Sequence, residues 1–491
     1  MQQRPKALLF FLFFVTVLIR IPQLTRPLSK HHELNTAAVL ISIQVWNEKG
    51  LAFSHGAPVH MYPGTYNIFK DPNNPYPNLF NSGTYLSMGP LSYLLPWAVF
   101  KMLHISPGET ALRIFNLLLQ LLSVFLFYLL VKMFFKTLYR PNFTDDKTLS
   151  FDAPYYHLLA VVFFLFSPVI MWFMGNAYCH EVLVLPLFLA ALIYGFKIVQ
   201  SQYKRSIKNY LLYGLIIAAA VYTDWLGCVI ALVFFIQALS VKQFKQRFPF
   251  LLVNAVAVSI PAALICWQYI SLIGVAEYKN FFLEQLFHRR TPDGGLTYSV
   301  FDFIKNLLTG YGFVFIAAIA GLAYSYIRWN RYFLVILAIP LLHYFLFRGF
   351  SNEHDYAVIK WAPFIITWAV ACVPQLKKNL QLFTIAVILC FGVLLYQYIN
   401  PPGQQSFNGE RYGWMKETGE HIAAEAAADE YIFINTPSYY YQLGWYAHRN
   451  YKNVKDEADA RLWLSYQTGS KAVYYQLDGN QNMLRIIHFT K

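Results

Sequence analysis

Apolar residues come in long runs along this chain: 7–19, 117–131, 211–221 and 380–396 carry almost no charge. Such runs predict helices that cross a bilayer, because ~20 apolar residues span ~30 Å of hydrocarbon. Six basic clusters punctuate them: Arg4/Lys6, Lys132/Lys136/Arg140, Lys197/Lys204/Arg205/Lys208, Lys242/Lys245/Arg247, Arg328/Arg331 and Lys377/Lys378. Lys and Arg in short loops mark the cytoplasmic side. Placing all six clusters there gives about eleven spans, near 7–21, 112–134, 155–175, 181–198, 209–223, 225–240, 249–273, 309–327, 332–348, 356–373 and 380–398. The odd count puts the N-terminus in the cytoplasm and the C-terminus outside. No small-x-small cleavage site follows the first run, which is therefore read as an uncleaved span.

Two long connections fall outside, one from Arg20 to about Glu109 and one from about Gly274 to Leu308. In the first, 35–49 has Asn35 as an N-cap, a mixture of apolar and polar positions and a stop at Gly50, the pattern of a helix lying in the membrane interface. The stretch 90–104 is apolar but short and carries Pro96, which predicts a juxtamembrane or re-entrant helix. After Pro401-Pro402-Gly403 the pattern changes to a helix-like 414–428 and strand-like 430–435, 472–476 and 484–489. The expected fold is an all-α polytopic membrane domain over 1–400, with a large outer loop at 22–110. A small extracytoplasmic α/β domain follows at 401–491.

Composition agrees with this picture. The apolar share is 57% and the charged share 13%, against roughly 25% charged in soluble domains. The net charge of +14 would suggest nucleic acid in a soluble protein, but here it follows from cytoplasmic Lys and Arg, so no nucleic-acid partner is expected. Cys179, Cys228, Cys266, Cys372 and Cys390 all lie in apolar segments without ligand spacing, as buried fillers do.

Carboxylates played no part in setting the sidedness, so they test it. Ten of the 25 lie in the tail; of the rest, Asp145, Asp146 and Asp152 fall inside and the other twelve outside. Several sit at span ends, where ionisable groups are usually paired or turned into a cavity. Glu33 follows His31-His32, and Glu181 follows His180. Asp224 occupies the tight Tyr222-Thr223-Asp224-Trp225 turn, while Arg348, Glu353, His354, Asp355 and Lys360 bracket two late spans. A carboxylate there suits general-base work on a hydroxyl, and the basic groups suit a phosphate. A histidine beside a carboxylate also suits a divalent metal.

With these residues in place the chain resembles the C superfamily of membrane glycosyltransferases, the group of the protein O-mannosyltransferases and the aminoarabinose transferase of lipid A. The resemblance covers about the first 400 residues. It rests on Glu33 near the start of the outer loop, Gly89-Pro90-Leu91-Ser92-Tyr93 running to Ala111-Leu112-Arg113, Ser167-Pro168 through His180-Glu181, and His354-Asp355-Tyr356. It implies an inverting transfer of a sugar from a polyprenyl-phosphate donor to a hydroxyl of a glycan, lipid or protein, at the outer face of a bacterial inner membrane. In that reading Glu33 is the base and Asp224 the second candidate. His32, Arg113, Arg348, His354, Tyr356 and Lys360 bind substrate, and His180 and Glu181 hold a divalent metal. The competing reading is a transporter or flippase of a lipid-linked anionic glycan. The large outer loops, the tail domain and the lack of an inverted repeat favour the enzyme.

Overall fold

The computed structural model describes residues 4–29, 31–138, 153–204, 206–240, 244–288, 299–324, 331–372 and 413–491, with isolated positions between 381 and 393. Most of the span expected at 380–398 lies outside the described residues, as do Lys377/Lys378, the Pro401-Pro402-Gly403 linker and the acids Asp145, Asp146, Asp152 and Asp293.

Helices dominate. The first part of the chain forms α1 (Arg4–Arg20), α2 (Leu34–Lys49), α3 (Pro77–Ser82), α4 (Leu91–Met102), α5 (Glu109–Leu138), α6 (Ala153–Phe166) and α7 (Pro168–Phe173). Then come α8 (His180–Gln200), α9 (Ile207–Val221), α10 (Leu226–Leu239), α11 (Phe244–Ile273) and α12 (Val275–His288). The series continues with α13 (Val300–Tyr311), α14 (Phe313–Tyr324), α15 (Arg331–Leu346), α16 (Arg348–Glu353), a 3-10 segment Asp355–Trp361 and α17 (Ala362–Cys372).

Helices stand at most of the expected places, but their lengths do not reproduce eleven spans. Among the described residues only Glu109–Phe135, His180–Gln200 and Phe244–Ile273 are long and apolar enough to cross alone. Val300–Tyr311 and Phe313–Ile319 would make a fourth as a pair bent by 117°. The expected span 155–175 is cut between α6 and α7, because Pro168 lacks an N–H and Ser167 before it is extended. The expected span 356–373 becomes regular α-helix only at Ala362, after the 3-10 segment.

The helix expected in the interface is instead a core element. Thr36 through Ile43 of α2 are buried all round, with Val45 and Trp46 beyond them. Its polar positions are satisfied internally: Ser42 Oγ donates to the Val59 carbonyl at 2.7 Å, and Tyr62 Oη donates to Gln44 Oε1 at 3.0 Å. The helix expected at 90–104 is α4, which buries Ser92, Tyr93, Pro96 and Phe100 and leaves Met102 exposed.

The tail is α/β, as expected: α18 (Trp414–Glu425), β1 (Tyr431–Ile434), α19 (Tyr441–Ala447), β2 (Lys452–Asn453), α20 (Glu457–Ser465), β3 (Lys471–Leu477) and β4 (Met483–Thr490). The sheet order is β2-β1-β3-β4, parallel except for β4 against β3. One face packs Ile432, Ile434, Val473 and Tyr475 against Trp414 and Leu443. The other packs Tyr431, Phe433 and Tyr474 against Leu464, Phe489 and, from the outer loop, Phe69. Asn450 Oδ1 accepts from the Tyr62 backbone N–H at 2.9 Å, and Gln467 Oε1 accepts from that of Lys70 at 2.8 Å. Sheet, outer loop and α2 therefore share one side of the molecule.

Candidate active site

The expected site residues divide into three groups. The first centres on Lys360, which the 3-10 segment turns inward beneath α8 and the turn between α9 and α10. Its Nζ donates to Asp224 Oδ2 at 3.0 Å, and lies 3.1 Å from His343 Nε2 and 3.6 Å from Glu181 Oε1. His180 Nε2 stands 2.8 Å from Glu181 Oε1 and 3.6 Å from Asp224 Oδ2. All five residues are buried, and Glu181 is fully enclosed. Burying charges is tolerated only when they are paired. Local structure supplies further partners: Asp224 Oδ1 accepts from the Leu226 N–H at 2.6 Å, and Glu181 lies in the first turn of α8, where the helix dipole favours an anion. Although burial opposes ionisation of Asp224, Lys360 and the two histidines hold its carboxyl well below the usual range.

The second group lies beside the first. His31 Nε2 and His32 Nε2 face the two oxygens of Asp355 at 3.1 and 3.0 Å. Burial again opposes ionisation of Asp355, and the two imidazoles hold its carboxyl far below the usual range. Aromatic rings join the groups: Tyr356 stacks on His354 with centroids 4.8 Å apart and meets His32 at 4.9 Å and His180 at 6.3 Å. Burial pushes the His354 imidazole down to about 3, so it is neutral at physiological pH.

The third group is separate and pairs Glu33 with Arg113, the residues expected as base and as substrate ligand. Glu33 is fully buried and turned away from its neighbour His32. It accepts from Arg26 at 2.6 Å, the Ser29 N–H at 2.6 Å and Arg113 at 2.9 Å. Arg113 also donates to the carbonyls of Leu24 and Arg26 at 3.0 and 2.6 Å. The carboxylate and both guanidiniums thus bind one another and tie the loop after α1 to α5. Arg348, expected on the phosphate, is exposed at the head of α16.

Sequence reasoning missed His343, Arg26 and the pairing of Asp355 with two histidines. His343 was detectable as an ionisable group inside an apolar span. Arg26 carried no such signal, because its partner is chosen by the loop's path.

Two trios bring ligand-type atoms within 4.8 Å of one another: His180, Glu181, Asp224 and His31, His32, Asp355. The metal expected at His180 and Glu181 fits poorly, because the Lys360 ammonium already stands between Glu181 and Asp224 as their cation.

No protein-family model matches the chain, and no curated protein matches it in sequence. Solved structures do match in fold. The archaeal oligosaccharyltransferase AglB from Archaeoglobus fulgidus, in complex with an inhibitory peptide and a dolichol-phosphate, aligns at TM-score 0.64 and 11% identity, over 96% of this chain and 69% of its own. ArnT from Cupriavidus metallidurans aligns in the apo state at TM-score 0.62 and 11% identity, over 99% of this chain and 98% of its own. ArnT bound to undecaprenyl phosphate aligns at TM-score 0.61 and 12% identity, over 96% and 92%. The chain therefore shares the fold of AglB and ArnT over nearly its whole length.

Proposed function

We propose that this protein transfers a sugar from a polyprenyl-phosphate donor to a hydroxyl acceptor at the outer face of a bacterial inner membrane. The observation that carries the reading is Lys360: a buried ammonium held by two carboxylates, within a fold shared with proteins solved with dolichol-phosphate and undecaprenyl phosphate.

In the resting site Lys360 neutralises Asp224. When the donor phosphate enters, Lys360 turns to it and stabilises the charge that grows as the phosphate leaves. Asp224 loses its cation at that moment, and its proton affinity rises. It then accepts the proton of the acceptor hydroxyl as that oxygen attacks the anomeric carbon. His32, His354 and Tyr356 line the approach and orient the sugar. A single displacement inverts the anomeric centre. Glu33 and Arg113 hold the loop that carries His31 and His32.

The test is turnover of a polyprenyl-phosphate sugar by the purified protein, read as release of polyprenyl phosphate. Asp224→Asn should lower the rate by ~10²–10⁴ with donor binding retained. Lys360→Ala should weaken donor binding by about 1.5–3 kcal/mol, the scale of a charge-assisted hydrogen bond. An Asp224→Asn enzyme within a few-fold of the parent would remove Asp224 as the base. Product NMR showing a retained anomeric configuration would remove the single displacement.

A further inference from the structure

We propose that α19 of the tail is a positioning element for the candidate active site: Tyr446 and Gln442 hold the backbone of Leu28 and Ser29, and through it set where His31 and His32 stand against Asp355.

The loop has no frame of its own. Residues 24–29 form neither helix nor strand, so their buried backbone groups need partners from elsewhere. Two sources supply them. On one side Arg113 of α5 donates to the Leu24 and Arg26 carbonyls. On the other, Tyr446 Oη accepts from the Leu28 N–H at 2.9 Å and Gln442 Nε2 donates to the Ser29 carbonyl at 2.8 Å, and both bonds are buried. Leu28 and Gln442 are wholly enclosed, so water cannot take the place of either partner.

α19 is suited to the task because it joins two cores. Its Leu443 and Ala447, one helical turn apart, pack inside the tail. Trp445, Tyr446 and, at the edge, Tyr441 join the large core of the helical part, the only described tail residues that do. Trp445 Nε1 also donates to Glu109 Oε1 at 3.0 Å, which ties the same helix to the head of α5. Behind it α18 presents Gly419, where a Cβ would stand 2.5 Å from the Tyr446 Cβ, so the two helices are pressed together and α19 has a firm backing.

The histidines require such restraint. Ser29 and His31 are two peptide units apart, too short a tether to absorb a shift. His32 holds φ at 56°, a left-handed conformation that is uncommon outside glycine and persists where surrounding contacts enforce it. From it both imidazoles reach one carboxylate, with His31 Nε2 at 3.1 Å and His32 Nε2 at 3.0 Å from the Asp355 oxygens. Freeing the 28–29 backbone lets His32 relax and carries both rings off Asp355. The tail is thereby part of the machinery of the site. That His32 orients a sugar rests on the proposed transfer reaction; the hold on the histidines does not, because it is measured without turnover.

The experiment compares the full chain in detergent with Tyr446→Phe and Gln442→Ala, each of which removes one bond to the loop. Acylation of His31 and His32 by diethyl pyrocarbonate, followed residue by residue by mass spectrometry with exposed His104 as reference, should be several-fold faster in both variants. The kcat for release of polyprenyl phosphate should fall by up to about 10²-fold, the scale of misplacing a substrate-positioning group by ~1 Å. Donor affinity should stay within a few-fold, because Lys360 is carried by another segment. Leu464→Ala, in the tail's second core, should lower the melting temperature and leave acylation and kcat unchanged. In the parent, hydrogen exchange across 24–29 should be slowed together with that of 441–447. Unchanged acylation in both α19 variants would overturn the proposal, and so would equal acceleration in Leu464→Ala, which would make the effect one of general loosening. If the α19 variants do not fold, exchange in the parent decides: rapid exchange across 24–29 beside a protected α19 overturns it. Faster acylation with kcat unchanged would keep the positioning role and remove His32 from the transfer reaction.

Discussion

Glu33 shows at the scale of a residue how environment decides what a carboxylate does. Burial alone would raise its pKa, but Arg26 and Arg113 outweigh burial and hold the carboxyl below its ordinary 4.5. The folded state therefore favours the ionised form. Its stabilising contribution is complete above pH 4.5 and is lost as pH falls through the lower folded value. Glu33→Gln removes the charge while leaving two buried guanidiniums, and the expected cost is ~3–5 kcal/mol of stability. The variant should also melt with a flatter pH dependence below pH 4.5 than the parent, as thermal unfolding in detergent will show. Turnover per folded molecule should stay within a few-fold. A large loss of rate in a fully stable variant would return Glu33 to the role of base.

At the scale of elements, Asp224 depends on how closely α4's leading turn approaches the α9–α10 turn. The Leu91 N–H donates to the Tyr222 carbonyl at 3.0 Å, and Gly89 lies so near that a Cβ there would overlap the same carbonyl. Backbone cannot move aside as a flexible side chain can. Gly89→Ala should therefore displace the 222–225 turn and shift Asp224 relative to Lys360. A loss of about 10²-fold in turnover is expected, since misplacing a catalytic group by ~1 Å costs that much. Donor affinity should change less, because Lys360 is carried by a different segment. Donor-binding and rate measurements on the one variant separate the two effects. The broken helices belong to the same scale: Pro168 and the bend at Gly312 end helices where the sequence pattern alone continues them.

At the scale of the molecule, tail and outer loop are one structure. Phe69 is 3% exposed inside the tail's second core, and α19 covers the loop that carries Glu33, with Gln442 donating to the Ser29 carbonyl at 2.8 Å and Tyr446 Oη accepting from the Leu28 N–H at 2.9 Å. Phe69→Ala leaves a cavity between sheet and loop, and a loss of ~3–5 kcal/mol is expected. Limited proteolysis should then cut the 62–76 stretch and release the tail sooner than in the parent. Unchanged protection would show that the hydrogen bonds to Ser29, Leu28, Tyr62 and Lys70 hold the tail without Phe69.

What the sequence by itself determined was local or periodic. Apolar runs placed most helices, because a helix satisfies its own backbone hydrogen bonds wherever hydrocarbon surrounds it. The change of pattern after Pro401-Pro402-Gly403 located the α/β tail, and the ionisable residues at span ends included Glu181, Asp224 and Lys360, which gather in space. Tertiary structure decided the rest. α2 mixes apolar and polar positions, yet α4, α5 and α19 pack around it, and only contacts from distant segments could bury Ser42 against the Val59 carbonyl and give Gln44 its Tyr62 partner. Likewise Glu33 and His32 are neighbours in sequence, but a left-handed turn sends one carboxylate to Arg113 and the imidazole to Asp355. Ion pairs are chosen by distance in space, which spacing along the chain does not encode.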